Sequence, residues 1–181
     1  MAAAYGESGD AGVKRDPHHL RQARESALQM LYGWEMGGDA LPEAIAGVRE
    51  LQLRPPVAGR DALAEELAYG TARALERIDP LIAEAATNWR LERLAIVDRL
   101  VLRLAVHELL DRPDTPPAVV INEALELART FSAPDAVRFV NGVLDAIRKR
   151  LTDRQPATGD GQPESGHRAP GTGRRISDTE Q

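Results

Sequence analysis

The chain has 181 residues and a formal net charge of -5; 43% of its residues are hydrophobic and only 4% are aromatic. This length accommodates one domain of ordinary size, since roughly 100 to 150 residues can bury a core of their own, and it leaves no room for a second catalytic domain. The absence of cysteine excludes disulfide frameworks and thiolate metal sites, and the acidic balance argues against wholesale coating of nucleic acid.

Both ends of the chain differ in composition from its middle. Residues 1–16 are mostly small or polar and lack the basic start and apolar stretch of a secretion signal. Residues 152–181 are rich in Gly, Pro, Ser, Thr and charge, with little apolar surface to offset the entropy of ordering them. We therefore expect a disordered arm at 1–16, a helical domain at 17–151 and a disordered tail at 152–181. The sequence contains no run of about 18 apolar residues, the length needed to span a bilayer. The expected location is the cytoplasm.

Apolar residues in the middle of the chain recur at every third or fourth position, the spacing of an amphipathic helix. Strand-forming runs of β-branched and aromatic residues are scarce. The periodicity and the Gly and Pro positions predict seven helices, in chain order: Leu20 to Met36, ended by Gly37–Gly38; 42–53; 61–78; Asp79–Pro80 to about Trp89; 91–110; one opened by Thr115–Pro116; and one opened by Ser132. The predicted fold class is all-α, a single-domain bundle of about seven helices.

Three local features of these helices lead to further expectations. The segment 91–110 is apolar almost all round, apart from a stripe of Arg99, Arg103 and His107, and such a helix usually lies in the middle of a bundle. The order Ser132-Ala133-Pro134-Asp135 resembles a capping box. Gly142 costs helix stability, about 1 kcal/mol against Ala, which the close approach of another helix would explain.

The titratable residues are too scattered to form an active site. His18 and His19 precede the first helix, His167 lies in the tail, and His107 has no neighbour in sequence that completes a triad or a metal site. His107 is therefore interpreted as an ordinary helix residue. The sequence also has no glycine-rich phosphate loop, nucleophile elbow or dinucleotide fingerprint. We predict no catalytic residue, no metal site and no cofactor.

A small basic patch precedes and enters the first helix. Lys14, Arg15, Arg21 and Arg24 stand against a single Asp16 in residues 14–24. The spacing of three between Arg21 and Arg24 predicts that both project from one face, and the planar guanidinium suits phosphate because it donates two hydrogen bonds and keeps its charge. The alternative is an ordinary solvated helix face.

The segment 131–143, FSAPDAVRFVNGV, contains both Phe residues of the chain. Phe139 lies off the apolar row of its helix, and Phe131 lies just before that helix. Two such rings could form a stacking platform for unpaired bases, worth roughly 1 to 3 kcal/mol per base, and Asp135 could accept hydrogen bonds from base amino groups. The alternative is that both rings belong to the core.

Three separated segments resemble the NusB family of bacterial transcription antitermination factors. They are RQARESALQMLYGWEM at 21–36, VDRLVLRLAVHELL at 97–110 and VINEALELARTFSAPDAVRFVNGVLDAI at 120–147. The resemblance covers essentially all of residues 20–151. It implies a NusB-like helical fold without enzymatic activity.

The resemblance also implies partners. Members of the family bind boxA RNA of ribosomal RNA leader transcripts together with NusE, a ribosomal protein, within an RNA polymerase antitermination complex that supports processive transcription of ribosomal RNA operons. Asp98 matches a position that faces the protein partner. The positions that match RNA-binding residues of the family are Arg21, Arg24, Tyr32, Phe131, Asp135, Arg138 and Phe139.

Two other function classes compete with this interpretation. Gln22 interrupts the basic run, which leaves open a protein-interaction scaffold, or a homodimer, with weak or masked RNA binding. Lys14, Arg15 and the tail pair Arg174–Arg175 are possible supplements to the basic surface. The same helical fold resembles a domain of ribosomal RNA cytosine methyltransferases, but those enzymes need a cysteine nucleophile that this chain lacks.

Overall fold

A computed structural model describes residues 16–38, 40–51, 57–87 and 89–154. Across these residues the chain forms seven α-helices and one short 3-10 turn, and no strand. The helices are α1 (Pro17–Gly37), α2 (Leu41–Leu51), α3 (Ala58–Arg73), α4 (Leu75–Ala85), α5 (Ile96–Asp111), α6 (Pro117–Phe131) and α7 (Ala136–Arg154), with the 3-10 turn at Leu91–Arg93. The predicted all-α class is confirmed. The predicted arm and tail lie outside the described residues, except Asp16 and the last turn of α7.

Helix α5 occupies the middle of the bundle, as its apolar sequence predicts. It packs against α1 and α3 on one side and against α4, α6 and α7 on the other. Every residue from 100 to 108 is buried. Because α5 touches both groups of helices, it fixes α1 relative to α6 and α7, whose residues form the site described below. No helix in the described ranges is long and apolar enough to cross a membrane.

Helix α1 begins three residues earlier than the apolar periodicity predicts. The Asp16 side chain accepts a hydrogen bond from the backbone N–H of His18 at 3.0 Å, and Pro17 occupies the first turn. This is the order of an N-cap followed by a proline whose missing N–H costs nothing at that position. The helix ends at Gly38, whose φ of 71° is the left-handed conformation that glycine adopts easily.

The predicted start of the fourth helix at Asp79–Pro80 is wrong. The break lies at Ala74, which ends α3 and begins α4, so Pro80 sits inside α4. Asp79 caps nothing, because both of its carboxylate oxygens accept hydrogen bonds from Arg103 at 2.8 Å. That ion pair joins α4 to α5.

Two further local predictions are wrong. Ser132 does not open a capping box, because its hydroxyl donates to the Asp98 carboxylate on α5, and α7 begins only at Ala136. Gly142 does not mark a close approach, since a Cβ built there would meet nothing within 4 Å. The glycine in close contact is Gly70 on α3, where a Cβ would lie 2.2 Å from Nε2 of His107.

The polar stripe of α5 forms ion pairs and hydrogen bonds within the bundle, although Nε of Arg99 is buried without a partner in the described residues. Arg99 and Arg103 both donate to the carboxylate of Glu35 on α1. His107 is 7% exposed, and its Nδ1 lies 3.1 Å from the Asp111 carboxylate. Burial lowers the pKa of His107 against the opposing influence of Asp111. The interpretation of His107 as a satisfied helix residue is therefore confirmed.

Candidate nucleic-acid interface

A groove of about 730 Å³ runs between α1, α2 and the junction of α5 with the end of α6. Two aromatic side chains line it and remain exposed: Tyr32 on α1 is 42% exposed, and Phe131 at the end of α6 is 37% exposed. Leu28 and Val97 supply part of its apolar wall. An open groove with two accessible rings can hold a flat, polarisable group such as a nucleobase.

Amide side chains stand in the same groove. Gln22 and Gln29 lie on one face of α1, seven residues and therefore about two turns apart. The Gln22 amide nitrogen is 2.7 Å from Nε2 of His18, whereas Gln29 is exposed and makes no hydrogen bond with the described part of the chain. An amide offers both donors and an acceptor, as the edge of an unpaired base does.

Arg21 lies at the entrance of α1 and bridges to α6. Its Nε and Nη2 donate to the Glu123 carboxylate at 3.2 and 2.9 Å, and Nη1 lies 3.8 Å from Glu126. The hydrogen bond to Glu123 is the largest influence that raises the pKa of Arg21. The side chain is 40% exposed. Arg21 is thus a fixed, permanently charged cation with some donors still open to solvent.

The predicted exposure of Arg24 beside Arg21 is wrong. Arg24 is 5% exposed, and its Nε and Nη2 donate to both oxygens of Glu108 on α5, at 2.9 and 2.7 Å. Glu108 is 2% exposed. A guanidinium enclosed in this way offers no donor to a ligand on the surface, so its immediate role is to hold α1 against α5.

Asp98 lies beside the groove, one residue after its wall residue Val97. Its carboxylate accepts the hydrogen bond from Ser132 described above, which ties α5 to the residue that follows Phe131. Asp98 is only half-buried. It therefore has oxygen atoms available near the groove, and it also helps to fix the position of Phe131.

Asp135 and Arg138 belong to a second, smaller depression. They line a groove of about 560 Å³ between α6 and α7, together with Arg129 and Asn141. Both are exposed, and neither makes an ion pair or hydrogen bond with the described residues. The structure brings these two predicted residues together, but in a groove separate from that of Tyr32 and Phe131.

Phe139 does not form a joint platform with Phe131. Within the described chain no ring contact joins them; the Phe139 ring instead meets Trp89 edge-on, with centroids 6.1 Å apart. Phe139 is half-buried and packs against the core, whereas Trp89 is 58% exposed. The sequence prediction missed Trp89 and Gln29. Trp89 lies in the connection between α4 and the 3-10 turn, whereas the predicted fourth helix extends to about this residue.

No group of acidic residues and histidines in the described ranges could hold a metal ion. The pairs Glu126–Arg129 and Asp145–Arg148 form salt bridges on exposed helix faces, as predicted. These carboxylates are therefore engaged in local ion pairs.

The sequence was compared with known protein families and proteins. The NusB family model matches residues 21–149. The transcription antitermination protein NusB of Sorangium cellulosum is 48% identical over 129 residues, which cover 71% of this chain and 90% of that protein. The protein of the same name from Solibacter usitatus is 42% identical over 133 residues, covering 74% of this chain and 90% of its own length.

Solved structures give the same result. NusB of T. maritima matches with a TM-score of 0.65 at 34% identity, covering 72% of this chain and 90% of that one. A chain in the crystal structure of the antitermination factors NusB and NusE in complex with double-stranded RNA matches with a TM-score of 0.68 at 30% identity, covering 75% and 99%. The chain described here therefore belongs to the NusB family.

Proposed function

We propose that this protein is a transcription antitermination factor that binds boxA RNA of ribosomal RNA leader transcripts together with NusE. In this role it joins an RNA polymerase antitermination complex and supports processive transcription of ribosomal RNA operons. It acts by binding, with no catalytic step and no cofactor, in the cytoplasm. Family membership supports this proposal, as does the relative that was solved with NusE and RNA.

The observation that carries the proposal is the groove that exposes Tyr32 and Phe131 beside the amides of Gln22 and Gln29. Rings that stack on bases and amides that pair with base edges are the usual means of binding unpaired RNA. Arg21 lies on the same helix and supplies a cation for phosphate. Asp135, Arg138 and Phe139 extend the proposed RNA surface along the first turns of α7.

The role proposed for Arg24 is indirect. Because its guanidinium is enclosed by Glu108, it supports the RNA surface by fixing the angle of α1 against α5, and with it the positions of Arg21 and Tyr32. Asp98 is proposed to contact NusE, since its half-buried carboxylate stands at the rim of the groove. RNA and NusE would then bind to adjoining surfaces.

A titration of fluorescent RNA tests this function. Labelled boxA RNA and a scrambled RNA of equal length are titrated with the protein, with and without NusE, across a salt series. We expect preference for boxA, tighter binding with NusE, and a steep loss of affinity with salt, because each phosphate contact adds about -0.7 to the slope of log K against log salt for a single strand. Equal affinity for the scrambled RNA, or binding that salt does not weaken, would contradict the proposal.

The same titration has a matched control for charge. Arg21→Ala should reduce the salt slope by about 0.7, whereas Arg73→Ala should leave it unchanged. Arg73 is an exposed arginine on α3 that packs over the Tyr69 ring, 5.5 Å from its centroid, and lines neither groove.

A homodimer with a masked RNA surface, the competing function, would instead show RNA binding that strengthens on dilution of the protein into monomers.

A further inference from the structure

Within the described ranges, Trp89 presents an exposed aromatic ring outside the groove. It lies between α4 and the 3-10 turn and is 58% exposed. Tryptophan is usually well buried because its large ring gains so much from leaving water. Here the Phe139 ring contacts it at an interplanar angle of 64°. Phe139 packs against the core. Its ring therefore holds a fixed position against which the exposed Trp89 ring rests.

Two exposed arginines follow the ring closely in sequence. Arg90 and Arg93 are both exposed, and neither guanidinium makes an ion pair or hydrogen bond with the described chain. The only acidic residue between them is Glu92, so the stretch from 89 to 93 keeps a net positive charge. An accessible ring with free arginines beside it is the combination that binds single-stranded nucleic acid.

The ring pair is connected to the groove through the start of α5 and the residues that join α6 to α7. Val97 lines the groove with Phe131, and the neighbouring Asp98 accepts the hydrogen bond from Ser132. Phe139 follows in the first turn of α7. The 132–135 connection thus joins Phe131, which lines the groove, to the helix whose Phe139 contacts Trp89.

We propose that the Trp89 ring is a second stacking position for an unpaired base of the same RNA strand, with Arg90 and Arg93 neutralising its phosphates. This inference rests on the proposed function, since it extends the RNA surface beyond the groove. The chemistry favours RNA over a protein segment because an exposed ring suits a base and the two exposed arginines near it in sequence suit phosphates.

The experiment uses the intrinsic fluorescence of the ring. The chain has two tryptophans, so Trp34→Phe leaves Trp89 as the only tryptophan, which is excited at wavelengths that tyrosine does not absorb. This variant is titrated with boxA RNA and with the same RNA extended at either end, while anisotropy of a label on the RNA reports total binding. We expect quenching of Trp89 emission that saturates together with the anisotropy for at least one extended RNA. Trp89→Ala should weaken that RNA about 5- to 150-fold, the equivalent of one lost stacking contact, and Trp89→Tyr should restore most of it.

The outcomes separate this inference from the function on which it rests. If RNA binds, and weakens in Tyr32→Ala, while Trp89 emission and the affinity of Trp89→Ala stay unchanged, the second stacking position is overturned and the proposed function stands. If Trp89→Ala weakens binding of NusE in the absence of RNA and leaves RNA affinity intact, the patch is a protein surface and the inference is also overturned. If no RNA binds the unaltered protein, both fail.

Discussion

Arg24 on α1 and Glu108 on α5 form a buried, doubly hydrogen-bonded ion pair, with N to O distances of 2.9 and 2.7 Å. Both side chains are almost completely removed from solvent. A pair of this kind is strongly destabilising when only one partner is removed, because the remaining charge stays buried without compensation. It therefore determines how firmly α1 is held against the central helix.

Arg24→Ala should lower the free energy of unfolding by about 3 to 5 kcal/mol, since Glu108 would be left buried and unpaired. The double variant Arg24→Met with Glu108→Leu should recover most of this loss. Arg21→Ala, which removes a partly exposed pair, should cost about 1 kcal/mol or less. Urea unfolding followed by circular dichroism measures all three. Equal effects of Arg24→Ala and Arg21→Ala would contradict the burial of Arg24.

Two glycines inside helices should respond to alanine with opposite signs. Gly70→Ala brings a Cβ to 2.2 Å from His107 Nε2, and overpacking of this kind costs about 1 to 3 kcal/mol. Gly142→Ala meets nothing within 4 Å and should stabilise by about 0.5 to 1 kcal/mol. Thermal unfolding of the two variants measures the contrast. In the His107→Ala background, the penalty of Gly70→Ala should largely disappear. An equal penalty in both backgrounds would rule out this contact as the cause.

Stability should fall as pH drops below about 6.5, the ordinary pKa of histidine. Burial lowers the pKa of His107, although Asp111 and Glu108 oppose the shift. As pH falls, the unfolded chain therefore binds a proton at this residue before the folded chain does. The free energy of unfolding then decreases between pH 6.5 and the lower pKa that His107 has in the folded chain. The slope from one group cannot exceed about 1.4 kcal/mol per pH unit.

Urea unfolding between pH 5 and pH 8 checks this dependence, with His107→Gln as the control that removes the titrating ring. Asp111 contributes to the pH dependence of stability in a lower pH range. Burial raises its pKa, but the hydrogen bonds and charges of Arg77 and His107 together outweigh that effect and the pKa is lowered. The stabilisation from Asp111 is therefore lost only below about pH 4. If His107→Gln keeps the full slope between pH 5 and pH 6.5, another group is responsible.

Asp98→Ala should weaken NusE binding about 10- to 150-fold, the equivalent of one hydrogen bond to a charged group. RNA binding measured without NusE should change little. Ser132→Ala removes the hydroxyl that holds this carboxylate and should have a smaller effect on NusE. Calorimetric titration of NusE into each variant gives the affinities. The expected order fails if Ser132→Ala weakens NusE more than Asp98→Ala does.

The sequence predicts the helices well and their ends less well, for a reason visible in two Asp-Pro pairs. Asp16–Pro17 begins α1 as an N-cap and a first-turn proline, but Asp79–Pro80 lies inside α4. The two pairs differ because of a tertiary contact: the Asp79 carboxylate forms an ion pair with Arg103 on α5. Local capping signals cannot reveal a competing partner that is 24 residues away.

The candidate site was predictable where the family resemblance identifies residues that the fold leaves exposed. The groove exposes Tyr32 and Phe131, which the family resemblance singles out. Arg24 was misplaced because its partner Glu108 is 84 residues further along the chain, and helical spacing on α1 does not indicate which arginine meets it. The separation of Phe139 from Phe131 likewise depends on Trp89, which sequence periodicity places in a helix.

The affinity of boxA RNA for groove variants tests the central claim most directly. Tyr32→Ala and Phe131→Ala are compared with Met36→Ala, an exposed residue at the end of the same helix α1 that does not line the groove. We predict that each ring variant binds boxA RNA about 5- to 150-fold more weakly, and that Met36→Ala binds like the unaltered protein. Unchanged affinity in both ring variants, with circular dichroism showing that they remain folded, would contradict the assignment of this groove to RNA.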